Sequence, residues 1–165
     1  MKTLYLVRHA KSSWETAGLP DDQRPLLPTG VTRTKLVADY IIKTGETVEL
    51  MISSQAVRAY ETARIMAACL GYPEKKILND RRIYDGPYER ILDLIYSTPD
   101  ETKSLMIFGH NPLITQLSNL FLEEGSDGMP TSAVACISFH TEKWKDIPGA
   151  RSETRFYITP KELKK

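Results

Sequence analysis

The sequence predicts an α/β fold, a three-layer α/β/α sandwich with a mainly parallel central sheet. Short apolar runs rich in β-forming residues alternate with helical patterns along the chain, which is typical of strand–helix–strand units. The strongest runs are continuously apolar, as in strands that helices cover on both faces. No repeat, low-complexity tract or linker interrupts the pattern. A length of 165 residues suits one domain, so we expect a single domain over residues 1–165.

The predicted elements follow in a regular order. Strands are predicted at the apolar runs 3–7, 48–53, 76–78 (the weakest), 104–108, 134–139 and 154–158. Helices are predicted from Pro28 to a stop at Gly45, from Ser54 to a stop near Gly71, from Tyr88 to Tyr96 and from Leu113 to Phe121. The last two strands are expected to pair at the edge of the sheet. Residues 11–27 lack periodicity and predict a long loop, a kind of segment that often carries function.

Composition and charge exclude several classes of protein. The net charge is +1, so the chain lacks the basic balance of a nucleic-acid binder, and any anion site must come from a local cluster of basic groups. Cys69 and Cys136 are the only cysteines, which excludes a disulfide framework and a four-cysteine zinc site. The sequence has no signal-peptide pattern and no apolar stretch of the ~20 residues that a membrane span needs. We therefore expect no membrane association and a cytoplasmic location.

Polar clusters follow the three strongest strands of the first two-thirds of the chain. Arg8 and His9 follow the first strand, Ser53-Ser54 with Arg58 follows the second, and Gly109-His110-Asn111 follows the third. Ligands of open α/β sheets bind outside the carboxyl ends of the strands. We therefore expect the three clusters to meet at one edge of the sheet and to form one site.

Two histidines and two arginines in one site suit phosphoryl transfer. Arginine stays charged and presents a fork of donors that matches phosphate oxygens, so Arg8 and Arg58 are candidates for gripping a phosphoryl group. A neutral imidazole nitrogen attacks phosphorus well when a backbone carbonyl holds the other ring nitrogen and fixes the tautomer. We predict that His9 is this nucleophile and that a cationic His110 stabilises the transferred group.

A metal site is the main chemical alternative for these residues. His9, His110 and a carboxylate could in principle bind zinc. Two adjacent guanidinium groups would repel such a cation, so we expect neither a metal nor another cofactor. Either histidine taken alone is also compatible with an ordinary hydrogen-bonded side chain, and either arginine with a surface ion pair.

The motifs resemble those of the histidine phosphatase superfamily, which is also called phosphoglycerate mutase-like. Arg8-His9-Ala10 directly after a strand resembles its Arg-His-Gly signature. The run from Ser53 to Ala63 resembles its Ser-Ser-x-x-x-Arg-Ala-x-x-Thr-Ala motif, and Gly109-His110 resembles its third motif. The resemblance implies a phosphoglycerate mutase-like fold, a phospho-accepting His9 and a phosphate pocket completed by Arg8, Arg58 and His110.

The residues around these motifs are similar to those of the small SixA-type phosphohistidine phosphatases. The similar segments are Arg8 to Trp14, Arg24-Pro25-Leu26 and Gly109 to Pro112. They extend the predicted substrate-binding set to Lys11, Ser12, Arg24 and Asn111, of which the first three could instead meet a protein partner. The resemblance implies a phosphohistidine-bearing partner protein, such as a phosphotransfer domain of a bacterial signalling system.

The region between the second and third motifs bears on the substrate. Residues 64–108 leave little chain for a lid, and an open site would admit a phosphorylated side chain on a folded protein. The resemblance implies a general acid, for which Asp85 is the nearest match to the family's acidic residue. With Gly86 it could instead simply form a turn, and Asp21 and Asp22 are alternatives. A labile P–N bond needs less protonation of its leaving group than an alkyl phosphate does. Without an acid in the site, a phosphohistidine substrate is therefore favoured.

Two other functions compete with a phosphohistidine phosphatase. The first is a phosphatase for a small phosphoester, which could also enter an open site. The second is a phosphate-recognising binding module without turnover. The second is disfavoured because both histidines and both arginines are present.

Overall fold

A computed structural model describes residues 1–14 and 18–164, which form one central sheet with helices on both faces. The strands are β1 (Lys2–Arg8), β2 (Leu50–Ser53), β3 (Leu78–Asn79), β4 (Ser104–Gly109), β5 (Val134–Phe139) and β6 (Ser152–Ile158). The α-helices are α1 (Pro28–Thr44), α2 (Val57–Leu70), α3 (Glu89–Tyr96), α4 (Leu113–Asn119) and α5 (Pro160–Leu163). Short 3₁₀ helices occupy Asp21–Gln23, Glu74–Lys76, Arg81–Ile83 and Trp144–Gly149.

The sheet has the order β3-β2-β4-β1-β5-β6. The first four strands of this order are parallel, and β5 and β6 are antiparallel to their neighbours. The predicted α/β fold with a mainly parallel sheet is confirmed, as is the late antiparallel pair with β6 at the edge. In the parallel part, β1 and β2 both pair with β4, so their carboxyl ends lie side by side.

Two apolar layers hold the helices on the sheet. Leu4 and Leu6 of β1 face α3 and α4, whereas Tyr5 and Val7 of the same strand face α1 and α2. Both faces of β1 are therefore buried, which explains why this strand is continuously apolar. At roughly 25 cal/mol per Å² of buried apolar surface, these two layers are the main stabilising term of the fold.

The two long helices end where the sequence predicts. Gly45 and Gly71 follow α1 and α2 with φ angles of 78° and 76°, a left-handed conformation that glycine adopts without steric cost. Each of these glycines closes its helix through a backbone N–H that donates to a carbonyl of the last turn.

The bounds of several other elements differ from the predictions. The run 76–78 yields only β3, because Lys76 closes a 3₁₀ helix and Ile77 turns its side chain into the core. β2 begins at Leu50 rather than Val48. Helix α4 ends at Asn119 rather than at Phe121. Within the described residues, no helix is both long and apolar enough to cross a bilayer.

Candidate active site

The ends of β1, β4 and β2 bring the three predicted polar clusters together. Arg8 lies opposite Gly109 in the parallel register of β1 and β4. The pairing continues past the strands, because the His9 N–H donates to the Gly109 carbonyl over 3.0 Å and the Ser54 N–H donates to Phe108 over 3.1 Å. The predicted convergence at one edge of the sheet is therefore observed.

His9 is buried and held in a single tautomer. Its Nδ1 lies 2.8 Å from the Ala10 carbonyl oxygen, which can only accept, so Nδ1 carries the proton and Nε2 is left with a free lone pair. The Ala10 N–H in turn donates to Thr62 Oγ1 of α2 over 2.8 Å, which fixes this turn of the backbone. Burial, and less strongly the nearby charges of Arg58 and Arg8, lowers the pKa of His9 to about 4, so the ring is neutral at pH 7.

His110 faces His9 with 5.1 Å between the ring centroids. Its Nε2 lies 2.8 Å from Ser54 Oγ, and its buried Nδ1 has no hydrogen-bond partner among the described residues. Burial, followed by the proximity of His9, lowers the pKa of His110 to about 3. The prediction of a cationic His110 is therefore wrong for the unliganded protein, because desolvation penalises the charged ring.

The contacts of Ser54 allow His110 to carry its proton on Nδ1. Ser54 Oγ accepts from the Ala56 N–H over 3.2 Å, so its own hydrogen is available to donate to His110 Nε2. A neutral ring that accepts at Nε2 carries its proton on Nδ1. His110 can therefore donate a hydrogen bond from Nδ1 without being charged.

Arg58 is buried and Arg8 is half-buried, and both lie close to the histidines. Arg8 Nη1 donates to the Met129 carbonyl over 2.9 Å. Burial, and then repulsion from Arg58, lowers the pKa of Arg8. The Nε atoms of both arginines are buried and lack a partner in the part of the chain that the structure describes. Two desolvated guanidinium groups with unused donors are the arrangement that an anion stabilises.

Asp21 holds the outer side of the site. Arg58 donates to its backbone carbonyl through Nη1 over 2.7 Å and to its Oδ2 through Nη2 over 3.0 Å. Tyr84 donates its hydroxyl to the same Oδ2 over 2.7 Å, and Arg24 Nε lies 3.3 Å from Oδ1. The hydrogen bond from Tyr84, followed by those from Arg58, lowers the pKa of Asp21 to about 2. The carboxylate is therefore ionised at every physiological pH.

Together these residues line a cavity of about 510 Å³, which we call the catalytic cavity. Its lining in the described chain is Arg8, His9, Lys11, Ser12, Trp14, Asp21, Arg24, Arg33, Arg58, His110, Asn111 and Thr131. Five of these side chains are cationic and one is a carboxylate. The cavity is half-open to solvent, and its charge suits a phosphate-like anion.

The outer predicted residues also line this cavity, in differing roles. Ser12 Oγ accepts from Arg24 Nη1 over 2.9 Å, and the Arg24 guanidinium stacks 3.5 Å from the centre of the Trp14 ring. Lys11 is exposed at the rim. The amide of Asn111 is occupied, because it donates to the Met129 carbonyl over 3.0 Å and accepts from Thr115 over 2.6 Å. Residues 15–17 of the predicted long loop lie outside the described part of the chain.

Asp85, the predicted general acid, does not line the catalytic cavity. It lies exposed in the turn that leads to Gly86, whose φ angle is 92°. The alternative interpretation of Asp85 and Gly86 as a turn is therefore the one that the geometry favours. Of the other two candidates, Asp21 lines the cavity and Asp22 does not.

Sequence reasoning missed three contributors to the site. Arg33 and Thr131 line the cavity, and Tyr84 contacts both Asp21 and the edge of the His110 ring. Arg33 lies near the start of α1, and no sequence motif distinguishes it from the other basic residues of that helix, Lys35 and Lys43. Among the described residues, no three His, Cys, Asp or Glu side chains cluster as a metal site requires.

Comparisons with known proteins relate the chain to one family. Residues 4–85 match the model of the histidine phosphatase superfamily (branch 1). An uncharacterised chloroplastic protein of Arabidopsis thaliana is 31% identical over 154 residues, which cover 88% of this chain and 70% of that protein.

Two solved structures share the whole fold. The protein histidine phosphatase SixA in complex with tungstate matches with a TM-score of 0.82 at 20% identity, over 98% of this chain and 99% of that one. A SixA-type protein from Agrobacterium tumefaciens matches with a TM-score of 0.81 at 25% identity, over 96% of this chain and 98% of that one. The chain therefore belongs to the histidine phosphatase superfamily, has the fold of its SixA-type members and is a phosphatase.

Proposed function

We propose that the protein dephosphorylates phosphohistidine on a partner protein through a phosphorylated His9, without a metal or other cofactor. The observation that carries the proposal is the Nδ1–H of His9 donating to the Ala10 carbonyl, which leaves Nε2 unprotonated near the charges of Arg58 and Arg8. A neutral imidazole nitrogen beside fixed positive charge is a competent nucleophile for phosphorus.

The reaction proceeds in two displacements at phosphorus. In the first, the lone pair of His9 Nε2 forms the N–P bond while the bond from phosphorus to the substrate imidazole breaks. The electron pair leaves with that ring, whose other nitrogen has taken a proton from solvent, so that it departs as a neutral imidazole. In the second, water attacks the phosphorus of phospho-His9, its proton passes to solvent, and the N–P bond returns its electron pair to His9. Arg8, Arg58 and the Nδ1–H of His110 bind the non-bridging oxygens in both steps.

The state of the nearby carboxyl groups supports a phosphohistidine substrate. Asp21, the one carboxylate among the described residues of the cavity, is ionised and has no proton to give. Asp85 lies outside the cavity, and we propose that the reaction does not use it. The imidazole of a phosphohistidine leaves with little protonation, whereas an alkoxide requires an acid.

The shape of the cavity supports a protein partner. The catalytic cavity is half-open, and Trp14 and Lys11 stand exposed at its rim. A phosphorylated side chain can enter such a site while its own protein stays folded. The same openness favours one second candidate, a phosphatase for a small phosphoester. The third candidate, a binding module without turnover, would use the unprotonated Nε2 of His9 only to recognise phosphate.

Turnover of three substrates in the presence of a chelator tests the proposal. We expect hydrolysis of phosphoramidate and of a phosphohistidine peptide, and much slower hydrolysis of an aryl phosphate. His9→Ala is expected to lower turnover at least about a thousandfold, because the nucleophile is gone. His140→Ala is the matched control, because His140 is exposed and remote from the cavity.

Each of the other outcomes identifies an alternative. Undiminished turnover by His9→Ala would exclude His9 as the nucleophile, and loss of turnover with chelator would indicate a metal. Faster hydrolysis of the aryl phosphate than of the peptide would favour the small phosphoester. Binding of inorganic phosphate without turnover of any substrate would favour the binding module. Acid-labile phosphate trapped on His9 is the most direct positive result.

The cytoplasmic location stays a prediction.

A further inference from the structure

A second groove adjoins the catalytic cavity. Its volume is about 540 Å³, and it is half-open to solvent. Its lining in the described chain is Pro28, Thr29, Thr32, Arg33, Leu36, Pro130, Thr131, Thr159, Pro160, Lys161 and Lys164. Arg33 and Thr131 line both spaces, so the two are neighbours that share one wall. We call this space the side groove.

The side groove combines an apolar wall with positive charge. Three prolines and the half-buried Leu36 form the apolar part. Arg33, Lys161 and Lys164 supply the charge, and no Asp or Glu is among the described residues that line it. A volume of this size accommodates a large side chain with its flanking backbone.

Prolines make the wall of the groove rigid, and the amino-terminal end of α1 adds positive charge to it. Pro28 and Pro160 begin α1 and α5, where their fixed φ angle suits a first helical turn. The first turn of α1 contains no acidic residue, and no side chain caps its N–H groups. The partial positive charge of this helix end therefore adds to that of the three cations. A rigid wall costs little entropy when a ligand binds.

We propose that the side groove is a recognition site for the partner protein, which places there an apolar side chain flanked by carboxylates while its phosphohistidine occupies the catalytic cavity. This inference rests on the proposed function. The positive charge of the groove favours carboxylates in its occupant, and its apolar wall favours a large apolar side chain. Because the groove and the catalytic cavity share a wall, these side chains would lie on the same segment of the partner as the phosphohistidine.

Two sets of phosphohistidine peptides test the inference. In the first set, a leucine flanked by two glutamates stands at a series of spacings on either side of the phosphohistidine. In the second set, a serine flanked by two lysines stands at the same positions. At one or more spacings we expect kcat/KM about tenfold higher for the acidic peptide, which is the size of effect that complementary charges and one buried side chain produce.

Variants confined to the side groove assign the preference to it. Lys161→Glu and Leu36→Glu are expected to reduce the preference to about threefold or less, because each opposes the charge of the acidic peptide. Neither residue lines the catalytic cavity, so turnover of free phosphoramidate should not change. Lys145→Glu makes the same charge reversal at an exposed residue outside both spaces and should leave the preference intact.

The outcomes separate this inference from the proposed function. Equal kcat/KM for the two peptide sets, or a preference that survives in both groove variants, would overturn the side groove as a recognition site while leaving the phosphohistidine phosphatase standing. Turnover of phosphoramidate with neither peptide set hydrolysed would overturn both proposals.

Discussion

At the scale of single residues, backbone atoms set the chemistry of the site as much as side chains do. The carbonyl of Ala10 selects the tautomer of His9, and the amide of Ala56 leaves the hydrogen of the Ser54 hydroxyl free to donate to His110 Nε2. The sequence identifies the two histidines but cannot assign their protonated nitrogens, because those assignments depend on the positions of backbone groups. The neutral state of His110 was missed for a related reason, since it results from burial.

Asp21 illustrates how much of the site the sequence leaves undetermined. It is one of several carboxylates in an aperiodic loop, and its role depends on contacts with Arg58 of α2 and with Tyr84, far along the chain. By contrast, the sequence predicts that Arg8, His9, Arg58 and His110 meet at one edge of the sheet, and the structure has them there, because each lies at or after the end of a strongly apolar strand.

Asp21→Asn tests whether the carboxylate is an acid or a local charge. Because Asp21 is ionised with a pKa of about 2, it cannot donate a proton, and we expect kcat for phosphoramidate to change less than about threefold. Removing one negative charge from the cavity should strengthen inhibition by inorganic phosphate about fivefold, the effect of about 1 kcal/mol of Coulomb energy. Steady-state kinetics with phosphate as inhibitor measure both quantities.

The neighbouring carboxylate provides the control for this prediction. Asp22→Asn removes the same charge one residue away and outside the cavity lining, and should change neither quantity appreciably. A hundredfold loss of kcat in Asp21→Asn alone would show that the carboxylate takes part in the chemistry.

At the scale of elements, the parallel pairing of β1, β4 and β2 accounts for the convergence of the site. The predictions succeeded for elements that are buried on both faces or ended by a left-handed glycine, such as β1 and α1. The predictions failed at β3, because the residues of this short strand are determined by its hydrogen bonds to β2 and not by the apolar run in the sequence. The periodicity of apolar residues indicates which side chains are buried. It does not predict a short strand whose bounds depend only on backbone hydrogen bonds.

The start of α1 packs directly on the loop that carries the site, which gives a prediction at this scale. A Cβ at Gly30 would lie 2.5 Å from the Lys11 carbonyl oxygen, so Gly30→Ala must displace either the helix or the backbone next to Ser12. We expect a loss of about 1–3 kcal/mol in the free energy of unfolding, the usual cost of overpacking, and weaker binding of inorganic phosphate. Urea unfolding and phosphate inhibition measure the two effects.

Gly128→Ala is the matched control, because no atom lies within 4 Å of its Cβ position. Its unfolding midpoint and phosphate affinity should stay close to those of the unchanged protein. Equal stability of Gly30→Ala and Gly128→Ala would show that the contact between α1 and Lys11 is loose.

At the scale of the whole molecule, the two buried histidines couple stability to pH. Their pKa values in the folded protein are about 4 for His9 and about 3 for His110, below the ordinary value of 6.5. The unfolded chain therefore binds more protons than the folded protein at acidic pH. The contribution of the two histidines to the free energy of unfolding is complete above pH 6.5 and is lost as the pH falls towards 4 and then 3. For His9 the loss is on the order of 3 kcal/mol.

Urea unfolding at pH 7.5, 5.5 and 4.5 measures this dependence. The decline in the free energy of unfolding between pH 7.5 and 4.5 should be smaller in His9→Asn, which has no titrating ring at position 9. It should be the same as in the unchanged protein in His140→Asn, because His140 is exposed. Inorganic phosphate should reduce the decline, because a bound anion stabilises the protonated rings. A decline of the same size in His9→Asn and His110→Asn as in the unchanged protein would assign it to other groups.

The described residues that line the catalytic cavity include five cationic side chains and one carboxylate, which has a consequence for how ligands arrive. These residues hold an excess of four positive charges, whereas the whole chain has a net charge of only +1, so all other residues together carry an excess of three negative charges. The protein is therefore an electric dipole with its positive pole at the carboxyl ends of the parallel strands. Such a dipole turns the mouth of the cavity towards an approaching anion, which speeds productive encounters at low ionic strength.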